Sequence, residues 1–205
     1  MMRALPLALL AVLSAAPLHA GDVTAEFSFT KRAPKVALVY FPEDASAPTT
    51  AVTVDQADKQ FSKLLVVAPK GTQLSFKNSD AVQHNIFADD KDAGVSFDSG
   101  LADPGATTGQ EIDWDEGKIV RIGCKIHPKM SMYGGSVASK HYTIVEFNKE
   151  TTKSVTLAGV PDGLTKVKIW IARFDPQEAT LAPGGTATVE LTRKGKPYGT
   201  LTLKR

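Results

Sequence analysis

From Val23 onward the chain never sustains a helical period between caps, and its apolar residues come in short alternating or continuous stretches. Val23–Phe29 alternates, and Lys35–Phe41 is a β-branched and aromatic run stopped by Pro42. The same pattern recurs at Val52–Asp55, Leu64–Ala68, Gln73–Lys77, Asn85–Ala88, Lys118–Cys124 and Tyr142–Phe147. It continues at Val155–Leu157, Val167–Phe174, Thr186–Leu191 and Tyr198–Lys204. Turn signals separate these runs, among them Pro69-Lys-Gly71, Asp103-Pro-Gly105, Pro161-Asp-Gly163 and Pro183-Gly-Gly185. Only Gln56–Lys63 suggests a helical turn. Many short strands with breakers between them predict an all-β protein of one or two sandwiches.

Two composition shifts divide the chain. Asp44–Thr50 is rich in Ala, Ser, Pro and Thr and reads as a linker, and a second change falls at Gly134–Lys140. They delimit a central block at 50–139, a front pair of strands at 22–43 and a C-terminal block at 141–205. Ahead of these, Met1-Met2-Arg3 precedes the apolar run Ala4–Ala16 and then Leu18-His19-Ala20. A cation, a short apolar stretch and a closing small residue describe a signal peptide over 1–20, cleaved after Ala20. The run is too short to span a bilayer, so the expectation is export without a membrane span.

With 24 basic and 22 acidic residues, and no local Lys/Arg cluster, the chain carries no sequence footprint for nucleic acid. A hydrophobic fraction of 42% excludes a disordered chain. Cys124 is the single cysteine, so no intramolecular disulfide can form even in an oxidising compartment.

That cysteine opens the segment Cys124-Lys-Ile-His127-Pro-Lys-Met130-Ser-Met132, and a further imidazole stands upstream in Asn78-Ser-Asp80-Ala-Val-Gln-His84-Asn85-Ile-Phe87. One thiolate, two imidazoles and a weak axial thioether make the donor set of a mononuclear type 1 copper site. Zinc also accepts Cys and His, but it rarely takes thioether, and structural zinc sites normally use more than one Cys. Taken singly, a His is more often a hydrogen-bonded or surface residue, and a Met a packing residue. The conjunction carries the reading: His84, Cys124 and His127 as equatorial ligands, with Met130 or Met132 axial. No Ser/His/Asp constellation or carboxylate pair suggests hydrolysis, so no enzyme is expected.

On these residues the central block resembles the cupredoxins, the blue copper family. Lys70-Gly-Thr-Gln-Leu-Ser-Phe-Lys-Asn78 and His84-Asn85-Ile-Phe87 are similar to the strand that carries the family's first histidine, and Cys124–Met132 to its ligand loop. The resemblance implies a Greek-key β-sandwich holding one copper ion, with Asn85 tying the His84 strand to the cysteine loop. The Ile-His-Pro-Lys-Met wording is closest to exported cupredoxins labelled methylamine utilization proteins, which favours Met130 as the axial ligand.

In that group a transthyretin-like or carboxypeptidase-regulatory-like sandwich surrounds the cupredoxin. Lys35–Phe41, Tyr142–Phe147, Gly159-Val-Pro-Asp-Gly163 and Val167-Lys-Ile-Trp170 resemble its strands and turn. A discontinuous second β-sandwich from 22–43 and 141–205 follows, the alternative being one cupredoxin with extra strands. The implied function is a periplasmic electron carrier cycling Cu(II) and Cu(I), a monomer that docks a redox partner transiently near His127. The alternative is a periplasmic copper-handling or tolerance protein without electron transfer.

Overall fold

The computed structural model describes residues 19–205, and every regular element among them is a strand. The signal-peptide expectation therefore lies, save for His19 and Ala20, outside the described residues. No helix among the described residues is long and apolar enough to cross a membrane.

The chain opens with β1 (Ala20–Phe29) and β2 (Val36–Tyr40). Nine strands follow: β3 (Val52–Ala57), β4 (Gln60–Phe61), β5 (Leu65–Ala68), β6 (Gln73–Asn78), β7 (Phe87–Asp90), β8 (Val95–Asp98), β9 (Thr107–Glu111), β10 (Ile119–Gly123) and β11 (Ser131–Ser136). The last six are β12 (Tyr142–Glu146), β13 (Thr152–Pro161), β14 (Lys166–Ile171), β15 (Gln177–Thr180), β16 (Thr186–Arg193) and β17 (Lys196–Lys204).

They form four sheets. β4-β3-β6-β9 faces β5-β11-β10-β7-β8 across a core built from Val54, Leu74, Phe76, Val120, Ile122 and Met132. β13-β1-β17-β16 faces β12-β2-β14-β15 across a second core around Phe27, Val39, Ile169, Ile171 and Leu201. In both sandwiches the inward residues are alternate residues of each strand, which is why the sequence alternates.

β2 does not alternate, and its burial gives the reason. Ala37 and Val39 enter the second core, while Val36, Leu38 and Tyr40 point the other way onto Leu65, Val67 and Val137. A strand covered on both faces reads as a continuous apolar run. The two sandwiches are thus stacked through a third apolar layer, in which the rings of Tyr133 and Trp170 meet edge to face with centroids 4.8 Å apart. Trp170 belongs to this junction, whereas its neighbours Ile169 and Ile171 fill the second core.

Several elements differ from the sequence expectation. Gln56–Lys63 is a β-hairpin and no helical turn: Ala57 pairs with Gln60 around Asp58 and Lys59, whose φ angles are 51° and 54°. Two consecutive positive φ values give the turn a twist that matches its strands. β9 and β15 were not expected because both are edge strands of mostly polar residues. β11 was hidden by Gly134 and Gly135. A Cβ on Gly134 would stand 2.9 Å from Ile122 Cδ1 and 3.4 Å from Trp114, so the glycine is what lets those side chains close over the strand.

Candidate metal centre

β10 ends at Gly123, and the chain turns back through 124–130 into β11. The loop is short and pinned: Met130 N–H donates to His127 O at 2.8 Å, and Cys124 N–H to Met130 O at 3.3 Å. Cys124 and Met130 are buried, while His127 is partly exposed. The other histidine comes from the segment between β6 and β7. There His84 and Ala102 exchange backbone hydrogen bonds as an isolated antiparallel bridge. Asn78, fully buried, shapes that segment by donating to Val82 O at 2.9 Å and accepting from Asp80 N–H at 3.0 Å.

These elements bring three of the expected ligands to one point. Cys124 Sγ lies 3.8 Å from His84 Nδ1 and 3.6 Å from His127 Nδ1, and the two Nδ1 atoms are 3.0 Å apart. A triangle with these sides has a centre about 2.0 Å from each corner, which is a metal–nitrogen bond length and slightly short for metal–sulfur. Among the described residues this trio is the one cluster of three Cys, His or acidic side chains able to hold a metal. The donor set is soft sulfur plus imidazole, which suits copper.

The lone pairs also point the right way. His84 Nε2 is 2.8 Å from the carboxylate of Asp80, so Nε2 carries the proton and Nδ1 offers its lone pair to the centre. Asp80 in turn accepts the backbone N–H groups of Asp58 and Lys59 at 2.8 Å each. Those amides, chiefly that of Lys59, together with the His84 contact, hold its carboxyl below the usual range against the opposing effect of burial. The unusual turn in β3–β4 therefore supplies the donors that fix Asp80, and Asp80 fixes His84. For His127, burial above all, and then the neighbouring His84, push the pKa below the ordinary imidazole value.

Asn85 takes the place expected of it: its Oδ1 accepts the Lys125 N–H at 2.7 Å, joining the His84 segment to the residue after Cys124. Its Nδ2 donates to Asp98 at 2.9 Å, and Asp98 also accepts from Lys125 Nζ at 2.6 Å. Lys125 first, then Asn85, pull the Asp98 carboxyl down to about 2. Met130 and Met132 are both buried in the first core, but they stand at different rungs. Met132 pairs with Ile122, so continuing the register by two places Met130 opposite Cys124. Paired residues of an antiparallel ladder share a face. Asp80 was present in the sequence motif without a role. An acid four residues before a histidine carries no signal in a non-helical segment, and only the fold turns it onto the ring.

Among the described residues, three of the four large exposed hydrophobic side chains surround this end of the molecule. Val82 precedes the His84 bridge, Leu101 adjoins Ala102, and Ile126 adjoins His127.

No protein-family model matches the sequence, and no curated protein matches it either. Among solved structures, the purple cupredoxin from Nitrosopumilus maritimus is 21% identical, covering 41% of this chain and 97% of its own, with a TM-score of 0.36. Amicyanin from Paracoccus versutus is 18% identical, covering 53% of this chain and 94% of its own, with a TM-score of 0.36. The copper-containing nitrite reductase from Thermus scotoductus is 22% identical over 41% of this chain, with a TM-score of 0.37, and the match spans 21% of that enzyme's length.

Proposed function

We propose that the protein is an exported type 1 copper protein of the cupredoxin kind that carries single electrons. The observation behind this reading is the triangle of Cys124 Sγ, His84 Nδ1 and His127 Nδ1 around one point at bonding distance. Bound copper supplies the one-electron chemistry, passing between Cu(II) and Cu(I). The chain does the rest. Cys124 would hold the copper through its thiolate, and His84 and His127 through their imidazoles. Met130, opposite Cys124 in the register, would offer the copper a weak thioether ligand that tunes its potential.

A set of ligands held by Asp80, Asn85 and two backbone hydrogen bonds favours electron transfer, because a site that does not rearrange between oxidation states costs little to cycle. His127 reaches the surface among Val82, Leu101 and Ile126, which suits brief contact with a partner protein. In this reading the chain catalyses no reaction of its own, acts as a monomer in the periplasm, and has residues 50–139 as a copper-binding unit inserted into the sandwich formed by 22–43 and 141–205.

The test is to load the chain with Cu(II) and record its visible and EPR spectra, followed by reduction and reoxidation. An intense thiolate-to-copper band, lost in Cys124→Ser, and fast reversible cycling are expected. A copper complex without that band overturns the type 1 assignment. A band without exchange with a small redox dye leaves copper handling as the function.

A further inference from the structure

At the junction of the two sandwiches lies an open cleft of about 760 Å³. Its lining contains cations and no acid. Lys31, Arg32, Lys35, Arg173 and Arg193 come from the second sandwich. Arg121 on β10 and Lys129 in the 124–130 loop come from the first. None of the seven is ion-paired with another described residue. Asp175, the acid nearest in sequence to Arg173, spends its oxygens on the Thr192 hydroxyl and on the Lys194 and Gly195 N–H groups.

In a chain with 24 basic and 22 acidic residues this is a strong local asymmetry. Seven like charges around one cleft repel each other and raise a positive potential focused by its low-dielectric walls. The arrangement is also built. Arg173 adopts φ 71°, a conformation that costs a non-glycine residue about 1 kcal/mol or more. Lys31 and Arg193 both sit over the Tyr198 ring, at 5.1 and 5.9 Å from its centroid, and Tyr198 rests edge-on against Phe174. Cation–π contacts orient these side chains without neutralising them.

We infer that this cleft is the docking site for an acidic polypeptide segment of the redox partner. The inference rests on the electron-carrier reading of the neighbouring site. Charge complementarity identifies the anion. The apolar parts of the lining, such as Pro34, Leu64 and Pro128, favour a polypeptide over a bare inorganic anion, which has no apolar surface to bury against them. Position completes the argument: Pro128, Lys129 and Ser131 border the cleft and belong to, or directly follow, the loop that carries His127. A segment held there keeps its parent protein beside the exit for the electron, and steering by the seven charges speeds its arrival.

The test uses the full chain, copper-loaded and metal-free, and measures binding of a hexaglutamate peptide and of inorganic tripolyphosphate by calorimetry at low and high ionic strength. The peptide is expected to bind both forms and to weaken steeply with salt. The double variant Arg173→Glu/Arg193→Glu should lose at least about tenfold in peptide affinity, and Arg121→Glu should also weaken it, while Lys166→Glu, at the far end of β14, leaves it unchanged. The copper spectrum should not change in any of them. Absence of peptide binding, or binding indifferent to these reversals, overturns the proposal, as does tripolyphosphate binding in the cleft more tightly than the peptide. A normal copper spectrum with no peptide binding sinks the docking site alone. Specific peptide binding to a chain that forms no type 1 centre sinks the electron-carrier reading and leaves an acidic-segment binding site.

Discussion

Asp44 and His141, 97 residues apart, meet with Oδ2 and Nδ1 2.8 Å from one another. Asp44 follows β2 and His141 precedes β12, so the contact ties together the two places where the chain passes between sandwiches. The same carboxylate accepts from the Ser46 hydroxyl and from the Lys140 N–H. Burial works against its ionisation, but these hydrogen bonds, with that of His141, prevail and hold the carboxyl far below the ordinary range.

Asp44→Asn should therefore lower stability by about 1–3 kcal/mol at neutral pH, the usual cost of losing hydrogen bonds to a buried charge. A depressed native pKa stabilises above the unfolded value near 4 and is lost as pH falls through the native value. The gap between wild type and variant should narrow below about pH 4. Urea midpoints of the metal-free proteins at several pH values measure this; a gap that widens in acid refutes it.

Asp80→Ala should weaken copper binding about 10- to 100-fold, since a carboxylate behind a ligating histidine fixes its tautomer and raises its basicity. A weaker imidazole donor favours Cu(I), so the reduction potential should rise as well. Competition titrations with a chromophoric chelator and voltammetry report the two effects. An unchanged potential would reduce Asp80 to a support for the Asp58–Lys59 turn.

Met130→Leu should raise the potential and alter the spectral balance, and Met132→Leu should mainly destabilise the fold. The register sets this difference: Met132 stands against Ile122 within the core, and Met130 stands two pairs further along, opposite Cys124 at the proposed copper site. Exchanging a buried methionine for leucine nearly conserves volume, so the loss of stability should stay below about 1.5 kcal/mol. The opposite pattern of potentials would assign the axial contact to Met132.

An excised fragment of residues 50–139 should bind copper but self-associate. It keeps every proposed ligand and the core around Phe76 and Ile122, but it bares Leu65, Val67 and Val137, which Val36, Leu38 and Tyr40 cover in the full chain. Replacing Leu65 and Val67 with Thr should restore a monomer by light scattering. A fragment that fails to fold in either form would show that the block is not a unit of its own.

Much of this was legible in the sequence because burial leaves a local trace. Alternation in Val23–Phe29 reports one wet and one dry face, and the unbroken Val36–Tyr40 run reports a strand with two dry faces. Cys124, His127 and Met130 lie on one short loop, and their conjunction with His84 in an all-β chain points to a shared metal, while the lone cysteine narrows which metal. Relations between distant segments leave no such trace. Which methionine stands opposite Cys124 depends on strand register. Asp80 meets His84 with its carboxylate held by Asp58 and Lys59, in a turn that neither residue belongs to. Three of the seven cations of the cleft fall within 31–35, but the other four are spread from Arg121 to Arg193, so no window of the sequence shows them together. Side-chain periodicity is written residue by residue, whereas charge and ligand geometry in space follow from which sheets stack, and that was decided by the apolar layer between β2 and β5.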